Sequence, residues 1–279
     1  MKNYKINIHQ CLVIHYIRLI SGKVINKGWD NYIKRLALFI KKWYTIYTMD
    51  IKSRIASYEE NVCINKRDDF EKFRLFLLEY NEKYNLTTII EEQDVYYKHF
   101  LDSVVGESFF KKGAKIAEIG SGAGFPSLPL KLFRQDLQLD LFESVGKKCD
   151  FLRAVVDKFQ LSGVNIYNIR AEDAAKDNRF REKYDYATAR AVARMNTLCE
   201  YCMPFVKVGG EFIAYKSGDE TELYEAVSAY KTLGGTLEKV EKYDLPKDYG
   251  SRTIAVVKKI NKTPPKYPRG QGKERKNPL

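Results

Sequence analysis

The chain has 279 residues, 44% of them hydrophobic, enough for one sizeable core with appendages, and no run of about 18 apolar residues occurs that could cross a bilayer as a helix. Its five cysteines are odd in number and fit reduced thiols in a cytoplasmic enzyme better than a secreted disulfide framework. The net charge of +12 is concentrated at the ends, with nine Lys or Arg against one Asp in residues 1–48 and eight against one Glu in residues 258–279, a distribution that suits either a polyanionic partner or a solvated tail.

Residues 1–48 hold both tryptophans, Trp29 and Trp43, and share little with the rest of the chain. They lack the pattern of a secretory signal. Met49 opens a more ordinary amphipathic sequence, so the expectation is that Met49 is the natural start and that 1–48 is a basic extension upstream of it. Over 51–105 the apolar spacing is helical: Phe70, Phe73, Leu77, Tyr80 and Tyr84 share one face. Asp68 and Asp69 stand at its start, where a helix dipole favours anions. This predicts a helical cap over 49–112.

From Lys115 short apolar runs alternate with helical stretches. Strands are predicted at 115–119, 137–142, 164–168, 184–188, 210–215, 236–243 and 251–258, within a domain spanning 113–260. That alternation predicts an α/β fold with a mostly parallel seven-stranded sheet covered on both faces, and ligands beyond the carboxyl ends of the strands. The last two strands are joined by a short loop, so they form a hairpin with an antiparallel edge strand. Residues 261–279 mix Pro, Gly, Lys and Arg without apolar periodicity, which predicts a basic flexible tail, disordered when unbound.

The most informative turn follows the first strand: Ala117-Glu118-Ile119, then Gly120, Gly122 and Gly124, then Phe125-Pro126 opening a helix. Glycines at these positions permit positive φ and remove Cβ atoms that would block a ligand. A dinucleotide fingerprint would require glycine where Phe125 stands, which opposes a nicotinamide-dependent dehydrogenase. Glu143 closes the next apolar run, where a carboxylate suited to ribose hydroxyls is expected about 20 residues beyond such a loop. A nucleoside ligand fits both features, although a tight turn alone would explain the glycines. Cys199 and Cys202 form a C-x-x-C with no second Cys or His pair, so a buried helix face is expected there and no metal.

These residues resemble the class I S-adenosylmethionine-dependent methyltransferases, in which an acid precedes G-x-G-x-G: here Glu118, Gly120, Gly122 and Gly124. Over about 49–279 the finer resemblance is to the RsmG (GidB) family, bacterial enzymes that methylate N7 of a guanine in the 530 loop of 16S ribosomal RNA. It is carried by Asn85-Leu86-Thr87, His99-Phe100-Leu101-Asp102-Ser103, Gly124-Phe125-Pro126 and Glu143-Ser144. Gly146-Lys147-Lys148, Phe151-Leu152-Arg153, Ala171-Glu172, Ala189-Arg190-Ala191, Tyr215-Lys216 and Tyr267-Pro268-Arg269 extend it. Residues 1–48 have no counterpart there.

The resemblance implies S-adenosyl-L-methionine as cofactor and 16S ribosomal RNA or the small ribosomal subunit as partner. It places Gly120, Phe125, Ala171, Glu172 and Arg190 on cofactor positions, completed by Gly122 and Gly124 of the same loop. Glu143 joins them from its place after the second strand. A monomer acting in the cytoplasm, away from any membrane, is expected. Guanine N7 bears a lone pair and no proton, so catalysis can rest on alignment, and no triad is needed. His99, Asp102 and Arg190 are the candidate positioning residues. Asn85, Ser103, Lys147, Lys148, Arg153, Lys216 and Arg252 are candidates for RNA contact, though a helix-face histidine, an internal ion pair and solvated cations explain several of them too. Two other readings remain: a catalytically silent RNA-binding module, and a small-molecule methyltransferase, against which Lys147, Lys148 and the basic tail argue.

Overall fold

In the computed structural model, which describes residues 51–62 and 67–279, the seven apolar runs form one sheet. The expectation about residues 1–48 lies outside the described residues. The strands are β1 (Lys115–Ile119), β2 (Gln138–Glu143), β3 (Val164–Asn168), β4 (Tyr184–Arg190), β5 (Val206–Ser217), β6 (Gly235–Asp244) and β7 (Ser251–Lys259), ordered β3-β2-β1-β4-β5-β7-β6. The first five are parallel, with β1 flanked by β2 and β4. The direction of winding therefore reverses beside β1, and the crevice beyond its carboxyl end is where such sheets bind ligands.

The expected hairpin is present, and its arrangement refines the expected edge. β7 is the antiparallel strand, and it inserts between β5 and β6 instead of lying outermost. The sequence of each strand supplies the reason. Thr253 to Val257 are all buried, a continuous run that needs neighbours on both sides, whereas β6 interleaves Glu238, Lys239, Glu241 and Lys242 among its apolar residues and carries a register shift between Leu237 and Lys239. Charges and a bulge are how an exposed sheet edge avoids further pairing.

The cap is helical as predicted. Helix α1 (Ile51–Glu60) precedes α2 (Arg67–Tyr84), whose Phe70, Phe73 and Leu77 are fully buried while Asp68 and Asp69 stay exposed in the first turn. α2 ends at Asn85, which takes the left-handed conformation (φ 50°) that terminates helices. Asn81 Oδ1 then accepts from the N–H groups of Leu86 and Thr87, at 2.7 and 2.9 Å. Further on, Val95–Leu101 winds as a π-helical turn that carries His99. Around the sheet lie α3 (Ser127–Phe133), α4 (Gly146–Lys158), α5 (Ala171–Ala174), α6 (Met195–Cys202), α7 (Thr221–Glu225), α8 (Val227–Thr232) and α9 (Lys273–Lys276).

Two cores result. Ile116, Leu139 and Ile213 pack with the cap, α3 and α4, while Ala117, Phe142 and Phe212 pack with α6, α7 and α8. Cys199 and Cys202 belong to the second core, where burial pushes both thiols well above their ordinary range. Among the described residues no helix is long and apolar enough to cross a membrane.

The flexible tail is corrected: residues 261–279 are packed onto the sheet domain. Arg181 donates to the carbonyls of Thr263, Pro264 and Tyr267, at 2.8, 3.2 and 2.9 Å. Arg269 meets the fully buried Glu200 at 2.7 Å, and the ammonium of Lys259 is buried against the Met203 carbonyl and the Thr263 hydroxyl. Apolar periodicity misses this docking because its anchors are mainly backbone carbonyls, ion pairs and the buried ring of Tyr267, with no apolar repeat among them.

Candidate active site

The site starts from the turn between β1 and α3. Gly120, Gly122 and Gly124 all have positive φ, of 68°, 56° and 85°, but each serves its surroundings differently. A Cβ on Gly124 would lie 2.6 Å from Leu128 Cγ and 3.0 Å from Leu152 Cδ2, so that glycine lets α3 and α4 close on the loop. A Cβ on Gly122 would meet nothing nearer than 3.9 Å, which leaves that face open to a ligand. Glu143 ties the loop to the next one: Oε2 accepts from Gly122 N–H at 2.9 Å and Oε1 from Val145 N–H at 2.8 Å.

Glu118 lies beneath the loop and is essentially inaccessible. Oε1 accepts weakly from Ser127 N–H at 3.4 Å, while Oε2 has no hydrogen-bond partner among the described residues. Burial pushes this carboxyl up to about 8, so it is largely protonated at neutral pH.

A cavity of about 260 Å³ opens beside the loop, lined by Ile119, Gly120, Phe142, Ser144, Ile169, Arg170, Ala171, Glu172, Val192 and Tyr201, with Gly272 and Arg275 from the C-terminal segment. Of the expected cofactor residues, Gly120, Ala171 and Glu172 meet there. Gly122, Glu143 and Gly124 are not in that lining: Glu143 fixes the loop through the Gly122 N–H, and Gly124 packs against Leu128 of α3. Its walls combine flat apolar side chains with the polar groups of Ser144 and Glu172, a lining that fits a purine nucleoside.

A second cavity, of about 350 Å³, is lined by Ile89, Lys98, His99, Asp102, Arg190, Ala191, Tyr215, Lys216, Ser217 and Arg252. The three candidate positioning residues come together in it. Arg190 donates to Asp102 Oδ2 and to the Lys98 carbonyl, both at 3.0 Å, and its Nη2 lies 3.1 Å from His99 Nδ1. Arginine can only donate, so Nδ1 accepts and the ring proton sits on Nε2, 2.9 Å from Thr87 Oγ1. Burial, together with the Arg190 charge, holds His99 down to about 3, and the imidazole is neutral. Asp102 Oδ1 accepts from Tyr243 at 2.8 Å, with Arg252 Nε 3.6 Å away.

Phe125 floors this cluster. Its ring stacks on His99, with centroids 4.2 Å apart, and lies 5.0 Å from the Arg190 guanidinium. Phe125 and Arg190 therefore stand on the side of the second cavity and do not line the first. The chain between the cavities is short: Ala191, held at φ 56°, faces one and Val192 the other.

The RNA candidates divide. Ser103 is corrected: it is fully buried, its hydroxyl donates to the His99 carbonyl, and Tyr215 donates to its own carbonyl. It braces the turn that carries His99. Lys216 and Arg252 line the second cavity, with Lys216 held by Glu222 at 2.8 Å and by the Ala193 carbonyl. Lys147 and Arg153 are exposed on α4 and Lys148 is half-buried there, none of them in either cavity, and Arg153 pairs with Asp150 at 3.0 Å. Asn85 is exposed at the end of α2. Sequence reasoning does not find Tyr243, Tyr201 and Arg275, which reach the site from distant parts of the chain and carry no local signal.

The family profile described as rRNA small subunit methyltransferase G (GidB) matches residues 66–249. The chain is 45% identical over 231 residues to the ribosomal RNA small subunit methyltransferase G of Lactobacillus acidophilus, covering 81% of this chain and 96% of that one. To the protein of the same name from Brevibacillus brevis it is 45% identical over 228 residues, with the same coverage. To that of Staphylococcus aureus it is 42% identical over 232 residues, covering 82% and 97%.

Proposed function

The chain belongs to the rRNA small subunit methyltransferase G family, and we propose that it transfers a methyl group from S-adenosylmethionine to N7 of a guanine in the 530 loop of 16S ribosomal RNA. One observation carries the reading of the site: two cavities adjoin across Arg190, Ala191 and Val192, one beside the glycine loop and the other edged by Lys98, Arg190, Lys216 and Arg252. A nucleoside-bearing methyl donor fits the first, and an electron-rich base fits the second.

When bound, S-adenosylmethionine supplies an electrophilic methyl group on a sulfonium. Gly120, Ala171, Glu172 and Ser144 would hold its nucleoside, with Gly122 and Glu143 fixing the loop. Guanine N7 presents a lone pair directly, so the chain has no proton to remove from the nucleophile. The cluster is built accordingly. His99 is neutral with both ring nitrogens engaged, and Asp102 is shared between Arg190 and Tyr243. These groups orient without shuttling protons, and alignment supplies the rate. Arg252 has one nitrogen on the Ser251 carbonyl and its Nε near Asp102. Its remaining donors suit guanine O6, the acceptor beside N7. A base in an unpaired loop reaches such a pocket at least cost, a few kcal/mol of unstacking at most. The chain would work in the cytoplasm as a monomer, on 16S RNA or the small subunit, with Lys147, Lys148 and Arg153 as candidate phosphate contacts.

The test is methyl transfer from labelled S-adenosylmethionine to small subunits lacking the modification, mapped by cleavage at 7-methylguanine. Label on one guanine of the 530 loop is expected. Cofactor binding without transfer would favour the silent RNA-binding module or another substrate.

A further inference from the structure

We propose that the C-terminal segment is the outer wall of the cofactor cavity and that Arg275 is a binding residue for the purine nucleoside held there. The inference rests on the reading of that cavity as the S-adenosylmethionine site.

Three observations point the same way. First, Gly272 and Arg275 line the cavity together with Ala171, Glu172 and Tyr201, so the lining drawn from the carboxyl ends of β1 to β4 and from α6 is completed by residues beyond the last strand. Second, the segment is fastened to the sheet domain by buried contacts before and after Gly272 in the chain. Arg181 holds the carbonyls of Thr263, Pro264 and Tyr267, Arg269 pairs with Glu200, and Thr197 donates to the Glu274 carbonyl at 2.9 Å. The Gly270 N–H closes onto the Glu274 carboxylate, which fixes the turn that presents α9.

Third, the cations of this stretch have separate assignments. Lys259 and Arg269 are spent on internal anchors, and Lys273 and Lys276 are exposed outside the lining. Arg275 is the cation of the segment that faces the cavity. It shares the lining with Tyr201 and Glu172, and its charge acts on the Tyr201 hydroxyl. Gly272 sets the turn before α9 through its φ of 74°, a left-handed conformation that favours glycine, and a Cβ there would meet none of the described residues within 4 Å. A guanidinium so placed is planar, carries five donors and stacks on aromatic faces. Those properties suit a purine ring and its acceptor nitrogens.

The experiment measures equilibrium affinity and dissociation rate of S-adenosylmethionine and S-adenosylhomocysteine for the full-length protein, without RNA. Variants are Arg275→Ala and, as a control of equal charge on the same short helix, Lys276→Ala. Both residues are exposed, so thermal midpoints are expected to match wild type. Arg275→Ala is expected to weaken both ligands by about tenfold, chiefly through faster dissociation, and Lys276→Ala to leave them unchanged. The inference is overturned if Arg275→Ala binds like wild type, or if Lys276→Ala loses as much. If the wild-type protein binds neither ligand, the cofactor reading itself fails. That result differs from wild-type binding with an indifferent Arg275.

Discussion

Glu118 and His99 show how placement decides protonation, and the two act on stability in opposite directions. The native carboxyl of Glu118 titrates at about 8 against an ordinary 4.5, so between those values the folded protein holds a proton that the unfolded chain has released. Its contribution is fully present below pH 4.5 and is lost as pH rises through about 8. His99 is held at about 3 against 6.5, so its contribution is present above pH 6.5 and is lost as pH falls toward 3. Where the windows overlap, from about 4.5 to 6.5, the two slopes oppose one another, each limited to about 1.4 kcal/mol per pH unit. Glu118→Gln keeps the shape and the carbonyl facing Ser127 N–H but removes the titration. Urea unfolding is expected to show this variant gaining on wild type steadily between pH 5 and pH 8.5. A difference that stays constant across that range would refute the neutral carboxyl. Glu118, Gly120 and Glu143 were legible because strand, acid and glycine follow one another in the chain. The tie from Tyr243 to Asp102 spans 141 residues and exists only once β6 is in place.

At the scale of elements, the glycine loop separates two demands that look identical in sequence. Gly124→Ala puts a methyl group into Leu128 and Leu152 at a φ of 85°, combining backbone strain with overpacking. Each of these costs on the order of 1–3 kcal/mol. Gly122→Ala meets open space and carries only the strain of φ 56°. The expected result is a much larger fall in urea midpoint for Gly124→Ala, and a larger loss of S-adenosylmethionine affinity per unit of lost stability for Gly122→Ala, read by calorimetric titration. Equal midpoints would mean the loop relaxes around Leu128. Strand positions were readable to within a few residues because buried parallel strands are short apolar runs between polar turns. The π-helical turn of Val95–Leu101 was not readable. A π turn changes hydrogen-bond register without changing composition, and here it sets the face on which His99 meets Arg190 and Phe125.

Across the whole molecule, net charge proved a poor guide to the C-terminal segment. Eight cations against one acid in residues 258–279 suggested a solvated tail, yet Lys259 and Arg269 are consumed by Met203, Thr263 and Glu200, and Arg181 reaches in from the body to bind three carbonyls. The consequence can be measured by deleting residues 261–279. A flexible tail could be removed at no cost to stability. The docked segment cannot, because its loss strips Arg269 from Glu200, a carboxylate with no exposed surface, and breaking a buried pair by removing one partner costs about 3–5 kcal/mol. The truncated chain is therefore expected to unfold at clearly lower urea than the full one. Adding Glu200→Gln to the truncation should recover part of the loss, since a neutral amide costs less to bury than an unpaired charge. If the truncated and full chains unfold together, the segment contributes nothing to the fold. The same coupling is why single substitution at an exposed position, and not truncation, can separate a ligand contact at Arg275 from the integrity of the wall that carries it.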